Sequence, residues 1–570
     1  MNGHNREDHR IKTWIQFVVI SISAILLYVV GSMAHLRLDL TEDKRYTLSP
    51  QTCIILDNLK SDVYIQVFLD GEMPVQFKKL KRSVSEMLDE FRIASGRKVG
   101  YSFINPSGKD NASDRNSLYE SLLSKGLNPV NIMSSDEEGG SSQRLIFPGM
   151  IVNYNGIEIP VNFLKNNIAL SPEQNLLNSM EGLEYNIIQT IATIAADTIY
   201  KVAFVEGQGE FREAEVADIT LEMAKYFTID RGRINGQEGI LNKYAAVIIA
   251  GPRSPFREED KLVLDQYLMN GGKILWLLEE VDVNQDSLVM GETAALYRPL
   301  DVEDQLFKYG VRINPALVQD LECNQLPVKI LTGGSSQVLP VPWLYYPLLI
   351  PDPNHPVTRN INRVFGKYVN YIDTVGLDTA IHKSVLLTTS SYSRTINPPL
   401  LITLKEAEET PDGGLFNKSS LPVSVLLEGR FKSAFRNRIV ADIAGNPDFT
   451  PRKESEYTRM IVVADADIIK NDVIISGGGE SFLPLGLDRY TSQTFGNKEF
   501  LINCLNYLVD DYDLMELRGR ELKLRLLNKA MVKENKAFLI TMNVAGPVAL
   551  VILAGLIFSY YRKRTYSRGA

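Results

Sequence analysis

The chain has 570 residues, with 61 Lys and Arg against 69 Asp and Glu and a formal net charge of −8. An acidic body is a poor nucleic-acid binder, because affinity for phosphate backbones comes mainly from clustered cations. Apolar and charged fractions of 45% and 23% suit a packed globular core and exclude collagen-like or wholly disordered architectures.

In chain order, the first feature is the uncharged run Trp14 to Ala34. As a helix it would extend roughly 31 Å, enough to cross a bilayer core. Ser32-Met33-Ala34 resembles a small-residue cleavage site, but the run exceeds the roughly 7–15 apolar residues of a signal peptide, which favours a retained anchor. Ser49 is a plausible N-cap for a short helix over Gln51–Asn58. A strand at Val63–Phe68, an amphipathic helix at Val75–Ala94 and a strand at Val99–Ile104 form a βαβ unit. A helix near Ser113–Lys125 ends at Gly126. Strands Arg144–Asn153 and Ile157–Phe163 then flank Asn155-Gly156, a strong hairpin signal. This pattern over residues 35–175 resembles the thioredoxin fold, with Pro148 where that fold often has a cis-proline. The Cys-x-x-Cys motif is absent, so thiol redox chemistry does not carry over.

Residues 176–511 read as a second unit. A helix at Leu177–Ala195 leads to a strand at Val202–Glu206, the turn Gly207-Gln208-Gly209-Glu210 and a helix at Glu213–Tyr226. A strand at Ala245–Ala250, a helix at Glu258–Met269 and a strand at Ile274–Leu278 follow. Nearly all-apolar strands alternating with helices predict a doubly wound parallel sheet covered on both faces. The series resumes with a helix at Val302–Tyr309 and strands at Ala316–Gln319 and Met460–Ala464, and closes on a helix at Lys498–Val509. Residues of about 330–455 read as an insertion with short β segments. From 512 to 537 the chain is charged and helix-prone, a stalk leading into a second uncharged run, Phe538 to Tyr560. Arg562, Lys563 and Arg564 after that run, with Arg6, Arg10 and Lys12 before the first, put both tails (1–13 and 561–570) in the cytoplasm and the bulk in the periplasm.

Several segments together closely resemble the GldG family: DLTEDKRYTLSP, VAFVEGQGEF, AAVIIAGP, LDQYLMNGGKILWLLEEV, LFKYGVRINPALVQD and LRLLNK, in that order along nearly the whole chain. GldG proteins are the auxiliary membrane subunits of the Gld ABC transporter of gliding Bacteroidetes. The resemblance implies a central domain of the GIFT type, similar in fold to class I glutamine amidotransferases. It also implies a GldF-like permease and a GldA-like cytoplasmic ATPase as partners, and a role in gliding motility.

No P-loop, GxSxG elbow or HExxH appears, and the three cysteines, Cys53, Cys323 and Cys504, lack metal-ligand spacing. The chain therefore reads as a non-enzyme with no cofactor and no metal. Gln208 and Glu210 stand where doubly wound folds bind ligands; the alternative is a glycine turn with Glu210 capping the next helix. Asp465 and Asp467, ending the strand RMIVVAD, could hold a cation or act as acid and base, or simply form a strand-end turn. The stalk cations Arg518, Arg520, Lys523 and Arg525 could meet lipid phosphates or the permease, or form a solvated helix face. A rival function is a membrane-tethered glycan-binding protein or hydrolase using Glu206, Glu210, Asp465 and Asp467.

Overall fold

The computed structural model describes residues 47–519, except 109–110, 136–140, 166, 168–169, 197, 333–334, 377–378, 408, 441–442, 444–448, 477–478 and 511–512; it also describes residue 532, residues 535–566, and 14–15, 17–23 and 25–26. The chain divides into two compact units, one through residue 520 and one from 521 onward.

The first unit opens with helix α1 (Pro50–Asp57), capped by Ser49, whose Oγ accepts from the Thr52 amide at 3.0 Å. Strand β1 (Val63–Val67), helix α2 (Val75–Ala94) and strand β2 (Val99–Phe103) form the expected βαβ unit, with β1 and β2 parallel. Helix α2 buries Leu80, Val84, Leu88 and Phe91, one stripe at helical spacing. Helix α3 (Ala112–Ser124) follows. The strand expected over 144–153 is broken at Phe147-Pro148. Its first half, Ser141–Ile146, pairs with Val130–Ser135 in a separate hairpin, and its second half is β3 (Gly149–Tyr154). The proline removes an amide from the ladder, which ends one pairing and starts another. No cis bond is found at Pro148; among the described residues it occurs at Pro398-Pro399. Strand β4 (Ile157–Asn162) returns through Asn155 and Gly156, both at positive φ (50° and 85°), as a tight hairpin requires. The sheet order is β2-β1-β3-β4, with β3 antiparallel to both neighbours.

The single helix expected at 177–195 is two. Helix α4 (Pro172–Glu181) starts in a Ser171–Gln174 capping box, and helix α5 (Leu183–Ala195) follows the break at Gly182. Strand β5 (Lys201–Glu206) precedes a short helix α6 (Ala217–Met223) and a strand the sequence did not suggest, β6 (Thr228–Arg233). Its polar TIDRGR run fits an edge strand better than a buried one. Then come β7 (Ala246–Ala250), α7 (Glu258–Met269), β8 (Ile274–Leu277) and α8 (Glu303–Tyr309). The expected strand at 316–319 exists as Leu317–Asp320, but it pairs with Ser393–Ile396 outside the main sheet.

The presumed insertion completes that sheet. Strands β9 (Cys323–Thr332), β10 (Ser335–Pro351), β11 (Ile381–Thr388) and β12 (Pro422–Lys432) extend it, before β13 (Glu454–Val463) and α9 (Asn497–Val509). The order is β9-β10-β11-β12-β13-β8-β7-β5-β6. The five strands from β13 to β6 are parallel and the other four antiparallel. The result is a mixed α/β fold with a large sheet.

One hydrophobic core runs from Ile55 through α2 and α5 to the parallel strands, α9 and Leu517. A second lies on the other face, under α7 and α8. Helix α7 is buried from Asp260 to Met269 because its outward side is covered too: Asp265 accepts from Ser433 Oγ, the Ala434 amide and Tyr309 Oη at 2.7–2.8 Å. Residues Leu514–Gly519, assigned to the stalk from sequence, belong to this body, with Leu514, Met515 and Leu517 buried.

The second unit contains helix α10 (Lys536–Tyr566), of which Lys536–Tyr561 is long and apolar enough to cross a membrane. The expected first span, 14–34, lies partly outside the described residues; those described between Trp14 and Leu26 are helical. The rest of the stalk and both tails fall largely outside them as well.

Candidate functional site

In a parallel sheet, ligands gather at the carboxyl ends of the strands where the chain reverses its direction of travel across the sheet. Here that point lies between β5 and β7, because β6 lies outside β5 while β7, β8 and β13 follow on the other side. Gly207-Gln208-Gly209-Glu210 sits there. Its Glu210 Oε2 accepts from the amides of Gly207 and Gln208 at 2.9 and 2.8 Å, so it caps its own turn. The next helical turn is closed instead by Glu215, which accepts from the Arg212 amide at 2.9 Å. Burial pushes the Glu210 pKa up, and the backbone donors oppose that shift.

Gln208 is 6% exposed. Its carbonyl accepts from the amides of Arg253 and Ser254 at 2.7 and 2.9 Å, and its Nε2 donates to Asp260 at 3.1 Å. The Phe211 ring lies over Gly251, where any Cβ would come within 2.6 Å of it. The crevice is thus filled by the chain's own side chains. Glu206 points elsewhere and pairs with Arg231 at 2.9 Å.

Two strands away, Asp465 and Asp467 end β13 beside Glu279, which follows β8. Asp465 is fully buried. It accepts from the Lys367 amide at 3.0 Å and the Asp467 amide at 2.9 Å. Glu279 accepts from the amides of Ala466 and Asp467, both at 3.2 Å. Burial first, and the neighbouring carboxylates second, push Asp465 well up and Glu279 to about 7. Asp465 and Asp467 therefore form a strand-end turn.

Of the four predicted acids, Asp467 is the one that lines a cleft, of about 450 Å³, with Lys367, Lys470, Arg489, Tyr346 and Phe365. The ion pairs here are loose: Lys367 and Arg489 stand 3.7 and 3.6 Å from Asp472, and Lys470 is 3.8 Å from Asp467. Its charged lining, with Asp472 and Asp488 beside these cations, suits binding polar groups. Among the described residues, no group of three or more His, Cys, Asp or Glu side chains is arranged to hold a metal ion.

A third place had no sequence signal, because its partners lie more than 100 residues apart. Glu184, on the first turn of α5, accepts from the Ser49 amide at 2.7 Å and from Thr52 Oγ1 at 2.8 Å. The next residue, Tyr185, donates to Met515 Sδ at 2.7 Å and lies beneath the Arg518 guanidinium, 5.5 Å from the ring centre. Arg518 also donates to the Arg359 carbonyl at 2.8 Å and to Glu499 at 3.4 Å, and Glu499 pairs with Lys165. Burial would raise the Glu499 pKa, but Lys165 and Arg518 hold it below the usual range. Arg518 is thus a packed, bonded residue. Arg520, Lys523 and Arg525 lie outside the described residues.

The segment that follows the N-terminal apolar run and the segment that precedes α10 are therefore seated on adjacent residues of one helix. A large α/β body whose two ends share one seat is joined in sequence to a helix long and apolar enough to cross a membrane. Residues 200–504 match the family model described as ABC-type uncharacterized transport system, and the chain belongs to this family of auxiliary transport components. Residues 42–153 match a domain of unknown function, DUF7088. A solved structure of the mmIFT52 N-terminal domain is similar at 13% identity with a TM-score of 0.31, covering 54% of this chain and 97% of that one, too distant to bear on the fold. Among curated proteins there is no match.

Proposed function

We propose that this chain is a non-catalytic accessory subunit of an ABC transporter complex that works in gliding motility. Two spans hold it in the cytoplasmic membrane, with both termini inside and the body in the periplasm, where it binds a further protein or transmits motion to it. A GldF-like permease and a GldA-like ATPase are its partners. The carrying observation is the shared seat on α5: anything that displaces the two flanking segments acts on one rigid turn at the centre of the main core. The sheet order β2-β1-β3-β4 supports the thioredoxin-like reading of residues 35–175. The five parallel strands with a central reversal support the doubly wound, GIFT-like reading of 176–511.

The glycan-hydrolase alternative needs carboxylates facing one another across a cleft. Glu206 is paired with Arg231, while Glu210 and Asp465 accept from backbone amides, which lends that alternative no support. The test is affinity purification of the full-length chain in mild detergent. A permease and an ATPase should co-purify, and Glu184→Ala should lower the ATPase response of the complex while leaving its assembly intact. Recovery of the chain with neither subunit would refute the proposal.

A further inference from the structure

The cleft that Asp467 lines, at about 450 Å³, has the size of a small-molecule site. Its walls come from the start of β9, the turn after β13 and residues 484–490. Each of its three cations stands near an acid without bonding to it. Lys367 and Arg489 share Asp472 at 3.7 and 3.6 Å, and Lys470 stands 3.7 Å from Glu215 and 3.8 Å from Asp467. An N–H···O hydrogen bond spans about 2.7–3.2 Å, so these pairs are held by charge alone. The cations also lie over rings: Lys367 is 5.4 Å from Phe365 and 6.0 Å from Tyr346, Lys470 5.0 Å from Phe211, and Arg489 5.7 Å from Tyr490. A ring face attracts a cation but leaves most of its N–H donors open. Four acids line the cleft as well. Asp488 is spent on the Tyr490 amide and the Thr491 hydroxyl at 3.0 and 2.7 Å, and Asp286 is exposed. The carboxylates of Asp467 and Asp472 accept no hydrogen bond among the described residues.

A second, independent sign is Asn324. It falls at the register shift between Cys323 and Gln325, where β9 slips against β10, and it lines the cleft. It is 7% exposed, yet its side-chain amide makes no hydrogen bond among the described residues. A buried amide with open valences calls for an outside partner.

This chemistry selects among ligands. An anion meets Asp467 and Asp472, a cation meets the three bases, and an apolar molecule strips water from both sets with nothing in return. A molecule carrying both signs of charge on separate atoms satisfies both sets. The Asn324 amide offers an acceptor and a donor side by side, the complement of a peptide group. Val289 and Tyr490, 80% and 55% exposed, add apolar surface for side chains. We infer that this cleft is a binding site for a short peptide with charged ends, its carboxylate on the cations, its ammonium on Asp467 and Asp472 and its backbone on Asn324. The site does not rest on the transporter reading.

The probe is trialanine with free ends, titrated calorimetrically into the full-length chain in a maltoside detergent. N-acetyl-trialanine amide stands for an internal stretch of a protein, and maltotriose for a neutral polyol. Saturable binding of trialanine is expected, with the blocked peptide about tenfold weaker and no binding of maltotriose. Asn324→Ala should weaken trialanine about fivefold, and Arg489→Gln about threefold. Thermal unfolding of each variant checks folding, and Arg489→Gln, whose parent side chain is 53% exposed, serves if Asn324→Ala does not fold. Absence of saturable binding, equal binding of the blocked peptide or of maltotriose, or unchanged affinity in the folded variants would overturn the inference.

Discussion

Two regions of this body hold buried carboxylates in opposite electrostatic settings. Glu184 receives donors from a distant segment: the Ser49 amide and the Thr52 hydroxyl, 135 and 132 residues away in sequence. Asp465 and Glu279 also receive amides from segments far off in sequence, Lys367 at 98 residues and Ala466 and Asp467 at 187 and 188, but each sits in the field of another carboxylate. The first arrangement holds chain segments together. The second is crowded with negative charge and eases when it takes up a proton. A buried acid therefore marks a joint in one place and a charge-crowded strand end in the other, and the carboxylates around it tell them apart.

Breaking the joint should have the largest effect. Glu184→Ala leaves the Ser49 amide and Thr52 hydroxyl buried without their acceptor, a loss of about 3 kcal/mol in urea unfolding of the purified chain. Glu184→Gln, which keeps one acceptor, should lose about 1 kcal/mol. If the two variants were equally mild, the seat would be a weak surface contact.

The crowded region should show itself through pH. Glu279 keeps its proton to about 7 in the folded chain, against an ordinary value of 4.5, and Asp465 is raised as well. The folded state therefore holds protons that the unfolded chain has released. Stability is fully present below about pH 4.5 and is lost as pH rises through about 7, by about 2 kcal/mol between pH 5 and 8. Glu279→Gln keeps an acceptor for the Ala466 and Asp467 amides but removes the charge. It should flatten that slope and leave the chain about 1 kcal/mol more stable than the parent at pH 8. A slope unchanged in Glu279→Gln would show that the acids there are not crowded. Smallest is Tyr185→Phe, which removes the hydroxyl bonded to the Met515 thioether and should cost about 0.5 kcal/mol, read from the same unfolding curves.

Local patterns in the sequence carried much of the architecture. Helices α2 and α7 fall at their expected limits because a clear apolar stripe, or a run bounded by Pro-Phe and Gly-Gly, marks each. The Asn155-Gly156 hairpin was equally plain. What stayed hidden depends on distant pairing. The TIDRGR edge strand has no apolar signature, and nothing in residues 330–455 reveals that β10, β11 and β12 widen the main sheet. At the candidate site, the positions of Gln208 and Glu210 were legible, but the plug of Phe211 over Gly251 was not, since it depends on two loops meeting. Arg518 looked like a stalk cation because its neighbours in sequence are charged; its real partners are Tyr185, Arg359 and Glu499.

The account depends most on the two flanking segments being seated side by side on α5 in the intact protein. Cysteines replacing the exposed Thr47 and Glu516 in the full-length chain, embedded in membranes, test this with a short bifunctional maleimide. An efficient intramolecular cross-link, lost when Glu184→Ala and Tyr185→Ala are combined, is the predicted result. No cross-link in the otherwise unaltered chain would contradict it.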